Sequence, residues 1–268
     1  MSHIGHQFKQ KQFHEAYRCR EGAPLITIEQ VRRSELQPCY TTGSDRYSDN
    51  KMEFHKILEQ HGGWQGKYVL DYGCGSGLWT TYMSMTGAKK VVGVDICESG
   101  VRLGRERLVQ QGLTDKAELN VMDVTKMSFP DNEFDMVFGN AILHHIINYP
   151  NVFEELHRVM KPGSQAFFLE GLADFAPYKW YWKRKGWVDA GDMPIFRKVV
   201  LEKAQMFHDV QVIGDNFLYS IKRFLWQPNM GFGRKTILRG AKCMDTVLFC
   251  VCPLLRRWGS FSYLIFTK

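Results

Sequence analysis

The chain reads as an α/β protein: an open, mostly parallel sheet wound on both faces by helices. Three observations carry that reading. Short apolar runs alternate with helical segments from residue 52 to residue 169, the rhythm of successive βα units. One of these runs, Tyr68-Val-Leu-Asp71, collapses into glycines at Gly73, Gly75 and Gly77 directly before a helical pattern. Polar side chains, Asp71, Asp95, Asp123 and Asn140, fall at the carboxyl ends of successive strand-like runs, the edge at which such sheets bind ligands.

Taken in order, a helix over 52–61 passes through Gly62-Gly63 into a strand over 68–71. A helix over 76–86, a strand over 90–95 and a helix over 98–111 closed by Gly112 come next, then strands over 117–122 and 134–140. The following helix starts near Pro150 and stops at Lys161-Pro162-Gly163, because proline cannot donate to a helix and glycine favours its end. Strands over 165–169, 209–213 and 260–266 complete the set, with a helix over 194–205 between the first two. No internal repeat and no low-complexity tract interrupts them.

Composition bounds the function classes. With 268 residues, 44% hydrophobic and 24% charged, the chain has enough apolar surface for a large core, which excludes whole-chain disorder. A net charge of +7 points to an anionic partner. Seven cysteines, odd in number and without a Cys-x-x-Cys pair, argue against a disulfide scaffold and a zinc site. Residues 1–20 are polar and lack the apolar stretch of a secretory signal, and no run approaches the roughly 18 apolar residues that span a bilayer. The expectation is a cytoplasmic protein with reduced thiols and no metal.

The glycine turn is suited to an anionic or polar ligand. Glycines let backbone N–H groups approach it without Cβ interference, and the following helix presents its positive end there. A dinucleotide is the natural competitor, but Gly73-x-Gly75-x-Gly77 lacks the G-x-G-x-x-G spacing of a pyrophosphate turn. The ordered set Val69-Leu-Asp-Tyr-Gly-Cys-Gly-Ser-Gly77, Val92-Gly-Val-Asp95, Met122-Asp123-Val124, Phe129-Pro-Asp-Asn-Glu-Phe-Asp-Met-Val-Phe138 and Met160-Lys-Pro-Gly163 resembles the class I S-adenosylmethionine-dependent methyltransferases, in their small-molecule and quinone (type 11-like) branch. The resemblance covers roughly residues 52–170. It implies a Rossmann-like, seven-stranded sheet whose last two strands are antiparallel, and S-adenosyl-L-methionine as cofactor.

The resemblance also implies roles. Gly73 and Gly75 lie along the methionine part of the cofactor, with the helix from Ser76 facing its carboxylate and Asp71 its ammonium, directly or through water. Asp95 accepts from the ribose hydroxyls, Ile96 lies on an adenine face, and Asp123 with Val124 reads the adenine edge. Asn140 stands near the methionine end and the acceptor. His144 and His145 are candidate bases, although methyl transfer from a sulfonium also runs on positioning alone; Glu170 is a further polar candidate.

The flanks are less regular. Residues 1–50 form an arm or cap, in which Tyr17 and Tyr47 pack on the body or cover the cofactor. Residues 51–216 with 259–268 form the cofactor-binding domain, and 217–258 a C-terminal helical insertion. That insertion carries eight cations, Lys222, Arg223, Arg234, Lys235, Arg239, Lys242, Arg256 and Arg257, against the one acid Asp245. Ile237, Leu238, Ala241, Met244, Leu248 and Cys252 recur in it at helical spacing. It reads as a packed pocket wall, a dimerisation element of a homo-oligomer, or a peripheral membrane contact. Tyr178 to Trp187 interleaves aromatics with four cations, as a connector, an acceptor lid or an RNA-stacking surface. Nucleic-acid base methylation is disfavoured, because Asn140-Ala-Ile-Leu143 is not the Asn/Asp-Pro-Pro-Tyr type. The expected activity is methyl transfer to oxygen or carbon of an apolar or aromatic small molecule. An RNA or protein methyltransferase and a non-catalytic cofactor-binding scaffold are the alternatives.

Overall fold

The computed structural model describes residues 51–174, 180, 195–221 and 232–268. The expected arm over 1–50, with Tyr17 and Tyr47, lies outside them, as does most of the aromatic-cationic run over 178–187.

Helix α1 (Lys51–Gln60) leads into β1 (Tyr68–Tyr72), α2 (Leu78–Met85), β2 (Lys90–Asp95), α3 (Glu98–Gln110), β3 (Ala117–Val121) and β4 (Phe134–Asn140). Next come α4 (Leu143–Ile146), α5 (Val152–Val159), β5 (Met160–Glu170), α6 (Arg197–Lys203), β6 (Asp209–Asp215), α7 (Phe232–Val251) and β7 (Phe261–Thr267). The seven strands form one sheet in the order β3-β2-β1-β4-β5-β7-β6. Strands β1 to β5 are parallel, while β7 is antiparallel to both β5 and β6. The expected Rossmann-like class I architecture is therefore present. Chain order reverses between neighbouring β1 and β4, which opens a crevice at their carboxyl ends.

Strand periodicity divides the core. Leu70, Tyr72, Val92, Val94 and Phe168 face one helical layer, and Val69, Val91, Met136, Phe138 and Phe167 face the other. Both faces are covered, as a parallel sheet requires.

Local boundaries moved for identifiable reasons. The helix expected from Ser76 starts at Leu78, because Gly77 is left-handed at φ 68° and caps it. The helix expected to reach Lys161 ends at Val159, since Met160 already pairs with Phe134 in β5. The four-residue α4 was not expected; a single turn leaves no periodicity to read.

The connection from β6 to β7 holds two 3-10 turns, Tyr219–Ile221 and Pro253–Trp258, on either side of α7. Because β6 and β5 are each antiparallel to β7, β6 points the same way as β1 to β5. The insertion therefore emerges at the carboxyl end of the sheet, the end that holds the crevice. Buried Asp245 fixes it, accepting from the Leu218 and Tyr219 N–H groups at 2.7 and 2.9 Å. The apolar stripe expected along this helix is corrected. Leu238 is buried and Ala241, Leu248 and Cys252 are half-buried, but Ile237 and Met244 are exposed at 55% and 57%. The inward face is completed instead by Asp245 and Phe249.

Candidate functional site

A cleft opens at the carboxyl ends of β1, β2, β3 and β4, with about 720 Å3 of space counting its open mouth. Gly73, Asp95, Ile96, Asp123, Val124, Asn140 and His145 line it, as the sequence led us to expect. Cys97, Met122, Ala141, Ile142, Ile146 and Tyr149 line it too.

The glycine turn builds one wall. The Gly73 and Cys74 N–H groups both donate to the Val94 carbonyl at 2.9 Å, which folds the turn over the end of β2. Gly73 is left-handed at φ 76°, and a Cβ there would lie 2.5 Å from the Ile142 side chain. Only glycine allows the turn to pass so close to the opposite wall. Asp95 ties this wall to the next: its Oδ2 accepts the Gly75 N–H at 2.7 Å and its Oδ1 the Cys97 N–H at 2.8 Å. A carboxylate has about four acceptor sites, so both oxygens keep capacity for hydroxyl donors in the cleft.

Helix α3 braces the turn from behind. A Cβ on Gly100 would lie 3.0 Å from the Gly75 carbonyl oxygen, and one on Gly104 2.9 Å from that of Ser76. One turn further on, the guanidinium of Arg107, 1% exposed, donates to the Ser76 carbonyl. Gly100, Gly104 and Arg107 share a helix face by their i, i+4, i+7 spacing. Sequence reading missed this brace, although the spacing was there to be read.

Other expected residues lie elsewhere. Asp71 is corrected: it is 1% exposed, does not line the cleft, and its Oδ2 accepts the Thr80 hydroxyl at 2.6 Å. Burial pushes its carboxyl up to about 7, against the opposing effect of the Thr80 bond. Strand alternation explains the placement, since Asp71 points into the layer under α2 while the turn beyond it faces the cleft. Gly75 and Gly77 are likewise behind the lining: Gly75 serves Asp95, and Gly77 makes room for Leu119, whose Cδ1 would lie 2.7 Å from a Cβ there. Asp123 lines the cleft, with Oδ1 closing a turn onto the Thr125 N–H and hydroxyl, both at 2.8 Å. Tyr149 opposite has its hydroxyl pushed up to about 12 by burial and by Asp123.

At the end of β4 the chain turns sharply. Ala141 is left-handed at φ 55°, a conformation that a Cβ makes unfavourable, and its N–H donates to the Leu169 carbonyl at 2.9 Å. The turn delivers α4 and its two histidines, whose rings are tilted at 46° with centroids 3.9 Å apart. They differ in surroundings. His145 lines the cleft, whereas His144 bonds through Nδ1 to Glu170 Oε2 at 2.9 Å. Glu170, 1% exposed at the tip of β5, also accepts the Leu143 N–H at 2.6 Å. Among the described residues no cluster of metal-ligating side chains occurs.

Residues 70–168 match a protein-family model described as a methyltransferase domain. A ubiquinone/menaquinone biosynthesis C-methyltransferase from Hydrogenovibrio crunogenus is 34% identical over 123 residues, 43% of this chain and 48% of that protein. A demethylmenaquinone methyltransferase from Staphylococcus epidermidis is 26% identical over 204 residues, 70% of this chain and 80% of that one. The chain spans about half the length of the first curated relatives it matches. Among solved structures, a geranyl diphosphate C-methyltransferase from Streptomyces coelicolor superposes with a TM-score of 0.60 at 15% identity, covering 98% of this chain and 97% of that one. At that identity the likeness establishes the fold.

Proposed function

We propose that this chain, whose residues 70–168 match a methyltransferase-domain model, transfers a methyl group from S-adenosyl-L-methionine to an apolar or aromatic small molecule. The observation that carries the proposal is the cleft itself. It joins a glycine turn, a carboxylate at the β2 tip and polar residues at the β3 and β4 tips around one space. The residues present fit that cofactor. Asp95 offers acceptors to the ribose hydroxyls, Ile96, Met122 and Val124 offer apolar surface to the adenine, and Gly73 leaves room where any Cβ would meet Ile142. Asn140 stands at the acceptor side. Asp71 acts from behind the turn.

Bound there, the cofactor supplies an electrophilic methyl carbon on sulfur. The chain's own part is orientation and proton removal. Glu170 holds His144 through Nδ1 and so fixes the orientation of the histidine pair on α4. His145, which lines the cleft, takes the proton from a hydroxyl or acidic carbon of the acceptor. Its ring, tilted against that of His144, also bounds the space in which the acceptor sits. The quinone-directed names of the relatives support an apolar aromatic acceptor and methylation at carbon.

Incubating the protein with methyl-labelled cofactor and cell extract, then separating lipid, small-molecule, RNA and protein pools, tests this. Label is expected in the lipid or small-molecule pool; label confined to RNA or protein, or no transfer at all, overturns the proposal. Glu170→Gln is expected to lower kcat at least about tenfold while cofactor affinity holds.

A further inference from the structure

The outer face of α7 presents an apolar surface to solvent. The helix is 20 residues long, about 30 Å at 1.5 Å per residue. One sector of roughly 140° around its axis, at 100° per residue, holds Phe232, Ile237, Met244, Val247 and Val251, together with small and weakly polar residues. Every residue in that sector is exposed and none is charged. Phe232 is 83% exposed, Val247 62% and Val251 80%, and the apolar surface continues past the helix through Leu254 at 74% and Trp258 at 43%.

Within residues 217–258 the exposed charges beside this surface are cations. Arg239 and Arg257 are exposed beside it. The one acid in the sequence after Asp215 is Asp245, which is 1% exposed and spent on the Leu218 and Tyr219 N–H groups. The other cation of the helix's described side chains, Lys242, is drawn inward to Asp215 at 3.1 Å. The inward face of α7 is already packed, through Leu238, Asp245 and Phe249, so the helix keeps its position while the outer sector faces solvent.

From this pattern we infer that α7 and the 3-10 turn after it dock on an anionic lipid surface. An apolar sector bordered by Lys and Arg, with no opposing acid, is the composition that lies in a headgroup interface. A second copy of the chain is the poorer occupant. A two-fold interface sets the same patch against itself, which would oppose Arg239 and Arg257 with their own like charges and no acid to balance them. No helix among the described residues is long and apolar enough to cross a membrane, so the contact is peripheral. The topology adds a direction: α7 leaves the sheet at the same end as the cleft, so docking turns that end toward the bilayer. Uptake of the acceptor from the lipid phase follows, and this last step rests on the proposed apolar acceptor, whereas docking does not.

Co-sedimentation of the full chain with phosphatidylcholine vesicles, with and without phosphatidylglycerol, tests the inference. Binding is expected only with the anionic lipid and to weaken as salt rises. Val247→Glu/Val251→Glu is expected to abolish it, and Arg239→Glu to weaken it about fivefold or more. The thermal midpoint and cofactor affinity without vesicles are expected to stay unchanged in these variants. Equal sedimentation with neutral vesicles, undiminished binding by the double variant, or a vesicle-independent dimer that the same variant dissolves would overturn docking. A chain that docks but methylates nothing leaves docking standing and removes the proposed activity instead.

Discussion

Helices α3 and α7 each carry two interior glycines, and those glycines have opposite meanings. In α3, Gly100 and Gly104 are places where helix backbone meets turn backbone, with Cβ positions 3.0 and 2.9 Å from the Gly75 and Ser76 carbonyl oxygens. In α7, Gly233 and Gly240 have nothing within 4 Å of the same position. The first pair brings a helix close enough to brace the cofactor turn. The second lies on a face that touches no other part of the described chain. The contrast separates a corner of the molecule whose backbone is tightly determined from an appendage whose outer surface is left over for something else.

The strongest way to break the determined corner is at Asp95, which joins the turn to the start of α3 through the Gly75 and Cys97 N–H groups. Hydrogen bonds to a charged group contribute about 1.5–3 kcal/mol each. Asp95→Ala is therefore expected to weaken cofactor binding by about two to four orders of magnitude, read by calorimetry with the demethylated product. An unchanged dissociation constant would remove Asp95 from the site.

Asp71 offers a pH test of the same corner. Its folded-state carboxyl titrates at about 7, against 3.8 for the free group, because of burial. The folded state thus holds a proton that the unfolded state has released, so stability is lost as pH rises from about 4 to about 7. Asp71→Asn, whose amide oxygen still accepts the Thr80 hydroxyl, escapes that loss. The variant is expected to gain on the wild type across this window, by on the order of 4 kcal/mol at most above pH 7. Denaturant melts at pH 4, 6 and 8 check this; a difference that does not grow with pH would show that Asp71 is ionised in the fold.

The same comparison shows what was legible in the chain. Short apolar runs ending in Asp95, Asp123 and Asn140 specify strands and their tips, and all three residues line the cleft. Asp71 belongs to the same series by sequence but faces away, because it is the penultimate residue of β1, whereas Asp95 and Asn140 end their strands and Asp123 lies beyond β3. For α7, spacing identified a helix and its apolar residues but assigned them to one inward stripe. Helical period fixes which residues share a face, yet the packed face was chosen by a buried carboxylate, Asp245, that satisfies two backbone N–H groups. No apolar pattern carries that signal. Glu170 illustrates the same limit: its bond to His144 joins strand β5 to helix α4, 26 positions apart in sequence.

Two alanine substitutions turn the glycine contrast into numbers. Gly104→Ala places a methyl 2.9 Å from the Ser76 carbonyl oxygen and 2.3 Å from Leu119 Cδ1. The leucine can rotate, but the backbone oxygen can move only by pushing the turn, so a loss of about 1–3 kcal/mol is expected, with weaker cofactor binding alongside it.

Gly240→Ala runs the other way and is the smallest effect. The site is in the middle of α7, is exposed, and has open space where the methyl would go. Alanine restricts the unfolded chain more than glycine does and fits a helix without strain, so a gain of about 0.5–1 kcal/mol is expected, with cofactor affinity unchanged. Denaturant midpoints at equal slope measure it. A loss at Gly240 would mean that another surface already lies against the outer face of α7 in the free protein, and the vesicle experiment would then have to be read as competition with that surface. A gain at Gly240 together with a loss at Gly104 would establish that the two helices meet their surroundings as differently in solution as they do in the fold.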